Sequence, residues 1–120
     1  MIKALFFDID GTLVSFHTHR IPASTIQALK EAKARGVKLF IATGRPQVII
    51  NNLQALQQQG LIDGYITMNG AYCFVEDEVI YKSPIPKNDI KALLHFCEAQ
   101  GKACIVVGEK DICVCNEDEE

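Results

Sequence analysis

No stretch of this 120-residue chain approaches the roughly 18 consecutive apolar residues that a membrane-crossing helix needs. The N-terminal apolar run is too short for a secretory signal, and Asp8 and Asp10 interrupt it. Positive charge is also scarce. Twelve Lys and Arg stand against 15 Asp and Glu, a net charge of −3. No polybasic surface therefore argues for nucleic acid or for an anionic membrane. The five cysteines, Cys73, Cys97, Cys104, Cys113 and Cys115, are odd in number and include no C-x-x-C pair. That speaks against a disulfide framework and against a zinc site. Cys113 and Cys115 would share one face of a strand, a spacing that suits a metal pair. The reading we prefer for all five is small buried hydrophobes in a reducing compartment. Internal repeats and low-complexity segments are absent. What remains is a globular composition, 48% hydrophobic and 22% charged. It fits one domain or part of a larger one, and the expected location is the cytoplasm.

The most informative stretch is residues 5–14, Leu-Phe-Phe-Asp-Ile-Asp-Gly-Thr-Leu-Val. Leu5, Phe6 and Phe7 read as a short strand buried on both faces. The run ends in Asp8 and Asp10, and Gly11 lets the chain turn tightly. Two acids at the end of a buried strand are costly unless a partner uses their charge. A divalent cation such as Mg²⁺ is the simplest such partner, because it prefers oxygen ligands.

The remaining chain alternates. Residues 13–21 are expected to form a flap or hairpin. In it, His17 and His19 could point the same way from a strand, but nothing nearby completes a metal set, so they read as exposed loop histidines. A first helix begins near Ser24, with Ser24 and Gln27 spaced as a capping box, and ends at Gly36. Residues 37–42 read as a second buried strand running into Thr43-Gly44-Arg45-Pro46. A second helix then carries an apolar stripe of Ile49, Ile50, Leu53 and Leu56. A third strand follows at residues 65–68. Strands alternating with helices predict an α/β fold with a parallel sheet. Asn69-Gly70 reads as a turn into a hairpin around residues 76–78, with substrate contact as the less favoured reading. Ser83-Pro84-Ile85-Pro86 then reads as a linker, dividing residues 1–83 from 84–120. Beyond it a helix capped by Asn88 or Asp89 precedes two short strands.

In an open parallel sheet, ligands bind at the carboxyl ends of the strands. Asp8, Asp10 and Thr43 all fall at such ends. Asp8, first off the strand, is the candidate nucleophile, since a carboxylate can accept a phosphoryl group. Asp10 is placed to act as general acid and then as base. Backbone N–H groups of Ile9 and Asp10 could cradle phosphate oxygens. Thr43 supplies a hydroxyl, Gly44 permits close approach, and the positive end of the following helix favours an anion. Against these stand plainer roles. The acids could cap a turn, Thr43 could cap a helix, and Arg45 could sit in a structural ion pair or contact phosphate.

Asp8-Ile9-Asp10-Gly11-Thr12, Thr43-Gly44-Arg45 and Met68-Asn69-Gly70-Ala71 together resemble the haloacid dehalogenase-like hydrolases, in particular their Cof-type sugar-phosphate phosphatases. The resemblance runs over nearly the whole chain. It implies a Rossmann-like core, Mg²⁺ held with the help of Asp8 and Asp10, Asp8 as nucleophile, Asp10 as acid and base, and Thr43 on phosphate. It also implies a small phosphorylated metabolite as partner, and a cap domain beginning after Ser83. The family further requires a lysine and a second acidic motif beyond the cap, and neither is found in these residues. The chain is accordingly expected to be an N-terminal part, nearly inactive alone, with one open sheet edge. The competing expectation is a non-catalytic phosphate-binding module that associates through that edge. A receiver-like signalling domain is disfavoured, because Met68-Asn69 offers no acid at the end of the third strand.

Overall fold

The structure is a computed structural model and describes residues 1–116. The chain divides into two compact units, Met1–Lys82 and a second that begins at Ser83.

In the first unit, strand β1 (Ala4–Phe7) pairs in parallel with β2 (Lys38–Ala42), which pairs in parallel with β3 (Gly64–Thr67). Strands β4 (Tyr72–Val75) and β5 (Glu78–Lys82) continue antiparallel, and the sheet order is β1-β2-β3-β4-β5. This is the expected α/β arrangement, a mixed sheet with its parallel strands first. The pleat decides which side chains become core. Leu5 lies beside Leu39 and Phe7 beside Ile41, and all four belong to or pack on the buried cluster with Ile9, Leu29, Leu53, Leu56 and Leu61. The opposite face is different. Phe6 is 58% exposed and stacks on Phe40 with ring centroids 4.9 Å apart. β1 is therefore not buried on both faces. Gly64 lies across from Phe40, and a Cβ there would come within 3.0 Å of that ring. The absent side chain makes room for the aromatic.

Helix α1 (Ala23–Ala34) starts two residues earlier than the capping box required. Pro22, already extended, is its N-cap, so Ser24 falls inside the first turn and caps nothing. Gln27 instead donates to Glu31 Oε1 one turn on, at 3.3 Å. The C-terminus ends as expected. Gly36, at φ +84°, donates to the Lys33 carbonyl at 2.9 Å, and Val37 donates to that of Ala32 at 3.2 Å. Both orphan carbonyls are thereby satisfied.

The expected second helix is not continuous. A single 3₁₀ turn at Gln47–Ile49 is followed by a four-residue α2 (Gln54–Gln57). The β-branched run Val48-Ile49-Ile50 and the pair Asn51-Asn52 both disfavour helix, by restricting χ1 and by offering the backbone competing hydrogen bonds. Leu53 and Leu56 still reach the core, whereas Val48 and Ile49 are 40% and 43% exposed. The expected flap over residues 13–21 forms no hairpin either. Ser15 N–H donates to the Arg20 carbonyl at 3.2 Å, and Ser15 Oγ accepts from His17 N–H at 3.1 Å, closing a compact loop. His17 and His19 are exposed on it, and Leu13 and Val14 anchor it in the core.

The second unit holds helix α3 (Lys87–Ala99) and an antiparallel hairpin of β6 (Cys104–Val107) and β7 (Ile112–Cys115). Pro86 is the helix N-cap, so Asn88 and Asp89 lie within the first turn rather than capping it. Among the described residues of this unit no side chain is buried; Ile90, Leu94, Cys97, Cys104, Val106, Val107 and Cys115 are half-buried. The cysteines are thus not small buried hydrophobes. None of the five is buried, and Cys113 is exposed. Among the described residues, no helix is long and apolar enough to cross a membrane.

Candidate active site

Because β1, β2 and β3 run parallel, the residues that follow them leave the sheet at one edge. Asp8 follows Phe7, Thr43 follows Ala42, and Met68 follows Thr67. Backbone hydrogen bonds fasten these loops together. Thr43 N–H donates to the Ile66 carbonyl at 2.9 Å, Asn69 N–H to that of Thr43 at 3.2 Å, and Met68 N–H to that of Arg45 at 3.3 Å. Asp8, Thr43, Gly44, Asn69 and Gly70 consequently line one cleft of about 450 Å³.

Within it, Thr43 is buried, and its Oγ1 accepts from Arg45 N–H at 3.1 Å. Its hydroxyl proton is still available for donation. The threonine fixes its own loop rather than capping a helix. Only the three-residue 3₁₀ turn follows, so no macrodipole is aimed at the cleft. Gly44 makes room for Asn69: a Cβ there would meet the far end of that side chain, Oδ1, at 2.9 Å. Asn69 and the preceding Met68 both occupy the left-handed region, at φ 54° and 52°. Asn tolerates that region well, Met poorly.

Asp8 and Asp10 are both exposed. The desolvation cost expected of two acids at a buried strand end does not arise, because the strand stops short of them. Asp8 Oδ1 accepts from Ile9 N–H at 2.8 Å. The Ile9 amide is thus engaged by its neighbouring carboxylate, while the Ile9 side chain lies in the core. Asp10 forms a two-pronged pair with Arg45, Nε to Oδ2 at 3.0 Å and Nη2 to Oδ1. Arg45 also donates to the Ile49 carbonyl at 3.4 Å, so it ties the loop after β1 to the loop after β2. Of its two expected roles, the structure displays the ion pair. Asp8, Thr43 and Gly44 meet in the cleft; Ile9 and Asp10 do not line it. Asn69 and Gly70, read from sequence as a turn, do. The signal that could have placed them was the strand polarity. A third parallel strand must end at the same edge as the first two.

A family model described as haloacid dehalogenase-like hydrolase matches residues 5–120. This chain belongs to the haloacid dehalogenase-like hydrolases. YkrA of Bacillus subtilis (strain 168), provisionally named a phosphatase, is 38% identical over 109 residues, covering 91% of this chain and 40% of YkrA. Among solved structures, the HAD subclass IIB sugar phosphatase BT4131 aligns with a TM-score of 0.87 at 67% identity, covering 97% of this chain and 45% of that one. BT1666 of Bacteroides thetaiotaomicron, a phosphatase of the same superfamily, aligns at 0.80 with 36% identity, over 95% of this chain and 41% of its own. This chain thus spans less than half the length of the relatives it matches, and its likeness to BT4131 puts it with the Cof-type branch.

Hard oxygen donors are the ligands Mg²⁺ prefers. The ion is often held by only one or two carboxylates, with water and substrate phosphate completing its shell. Asp8 fits that role in kind, with one exposed carboxylate oxygen for which no hydrogen bond is found among the described residues. Asp10 would have to release Arg45 to join it. Among the described residues, no group of three or more His, Cys, Asp or Glu side chains is arranged to hold a metal ion.

Proposed function

We propose that this chain supplies the nucleophile loop and phosphate cradle of a site that hydrolyses phosphomonoesters, sugar phosphates or similar small esters, through a phosphorylated Asp8, and that these residues alone turn over little. The observation that carries the reading is the shared cleft. A carboxylate, a threonine hydroxyl and a glycine backbone converge at the carboxyl edge of neighbouring parallel strands. The sugar-phosphatase description of BT4131 supports the substrate class.

The chemistry follows from the residues. Asp8 Oδ2 attacks phosphorus as the bond to the ester oxygen breaks, and the leaving alkoxide takes a proton from Asp10. Water then attacks the acyl phosphate, gives its proton to Asp10, and frees phosphate and the Asp8 carboxylate. Thr43 Oγ1 and the Gly44 backbone hold the non-bridging oxygens. Between turnovers Asp10 is a carboxylate paired with Arg45; it leaves that pair and takes a proton from solvent before giving it to the alkoxide, and the proton it later takes from water returns to solvent as the pair re-forms. Mg²⁺ held at Asp8 would offset the repulsion between carboxylate and phosphate dianion.

Release of phosphate from hexose and pentose monophosphates in the presence of Mg²⁺ tests the reading. Release by the chain alone is expected to be slight, and Asp8→Asn should bring it to the uncatalysed background. Inorganic phosphate titrated into the chain should shift the amide resonances of Thr43 and Gly44. Turnover that survives Asp8→Asn, or phosphate shifts that bypass those two amides, would refute the assignment.

A further inference from the structure

Four of the five cysteines lie in the second unit, outside the cleft, and the fold gathers them. Cys104 and Cys115 are direct partners across the antiparallel β6–β7 pair. Partners in such a ladder point to the same face, with Cα atoms about 4.5 or 5.5 Å apart according to the hydrogen-bonding pattern. Both spacings fall inside the disulfide range of about 4.4–6.8 Å. Cys113, two residues before Cys115, shares that face, its Sγ 3.9 Å from Cys115 Sγ. Cys97 on α3 lies near Cys104, and burial together with that neighbouring thiol pushes the Cys104 thiol up. All four thiols are free, three half-buried and Cys113 exposed. Among the described residues no group of three or more His, Cys, Asp or Glu side chains is arranged to hold a metal ion; the paired cysteine positions do allow thiol chemistry.

We propose that Cys104 and Cys115 are a redox-sensitive dithiol that small-molecule disulfides convert into a cross-strand disulfide. In the first step the Cys115 thiolate attacks one sulfur of the oxidant RSSR, forms a mixed disulfide and expels RS⁻, which is protonated. Cys104 then attacks the Cys115 sulfur and expels the second RS⁻. Two cysteine thiols are oxidised, RSSR is reduced to two RSH, and the two cysteine protons end on the leaving thiols. A Cys113–Cys115 pairing is less suited. Cys113 and Cys115 are two residues apart on one extended strand, about 6.6–6.8 Å between Cα atoms, the upper edge of the range. Cys97 approaches Cys104 from a helix, so Cys97–Cys104 is the competing pairing that peptide mapping must separate from Cys104–Cys115. The bond would fasten the open end of the hairpin, opposite the turn where Gly108 N–H donates to the Asp111 carbonyl at 2.8 Å.

The folded 120-residue protein incubated with oxidised glutathione provides the test, read by thiol titration and by peptide mapping under non-reducing conditions. The expected result is loss of two of the five thiols, a Cys104–Cys115 cross-link, full recovery with dithiothreitol, and slower amide exchange along β6 and β7. Cys104→Ser and Cys115→Ser should each abolish the cross-link, while Cys73→Ser leaves it intact. Cys104→Val, suited to a strand, replaces the serine variant if that fails to fold. Five thiols persisting at completion, a cross-link mapped to another pair, or bonds formed only between molecules would overturn the proposal.

Discussion

At the scale of single residues, the cleft depends on a contact between two loops. Gly44 and Asn69 occupy one volume: the space where a Gly44 Cβ would sit is 2.9 Å from Asn69 Oδ1. Gly44→Ala should therefore destabilise the protein by about 1–2 kcal/mol through overpacking. In an Asn69→Gly background the obstruction is gone, and the same change should cost less than half as much. Chemical denaturation of the four proteins in that double-mutant cycle measures the coupling; equal costs in both backgrounds would show that Asn69 is not what forbids a side chain. Asp8, Thr43 and Gly44 were legible in the sequence because polar and glycine residues follow short apolar runs. Asn69 follows such a run too, but Asn-Gly is also a strong turn signal, and at the level of sequence the turn outweighs the substrate contact that its place in the cleft allows. Asp10 and Arg45 illustrate the reverse limit. Their pairing joins residues 35 apart in sequence, which no local pattern encodes.

At the scale of elements, one carboxylate joins three of them. Asp63, just before β3, accepts from Lys33 Nζ of α1 at 2.8 Å and from the Leu39 amide of β2 at 2.8 Å. Burial alone would push its carboxyl up; the hydrogen bonds from Lys33 and Leu39 and the charges of Lys33 and Lys38 outweigh it and hold the group below the usual carboxylate range. A carboxyl depressed in the folded state contributes stability above its unfolded pKa, and that contribution is lost as pH falls through the folded value. Asp63→Asn should thus cost about 1–2 kcal/mol at neutral pH and flatten the acid side of the stability profile. Melting temperatures across pH 2–7 check it, and an unchanged acid limb would assign the pH dependence elsewhere. The elements themselves were unevenly legible. Strands and the glycine-terminated α1 followed their local signals. The second helix did not, because its apolar spacing fitted a helix while Val48-Ile49-Ile50-Asn51-Asn52 opposed one, and propensity won over periodicity there. Leu53 reaches the core without a long helix to carry it, so Leu53→Ala should still cost about 2–4 kcal/mol in denaturant unfolding. A loss under 1 kcal/mol would mean that the site collapses around the smaller side chain.

At the scale of the whole chain, burial is unequal. Every buried hydrophobic among the described residues, from Ile9 to Phe74, lies in the first unit. The second unit carries Leu93 at 52%, Phe96 at 63% and Ile105 at 66% exposure, and its hairpin is two-stranded, an element with little stability of its own. Since apolar burial is the dominant favourable contribution to folding, the two units should not share one stability. Hydrogen exchange at neutral pH should find amides of β1, β2 and β3 protected near the global unfolding free energy. Those of β6 and β7 should exchange through local opening, at least a hundredfold faster, a difference of about 2.7 kcal/mol. Equal protection in the two units would mean that they unfold as one cooperative body. The contrast also bears on the thiols. A hairpin that opens readily presents Cys104 and Cys115 to a soluble oxidant, and closing their disulfide should slow exchange in β6 and β7 while leaving β1 to β3 unchanged.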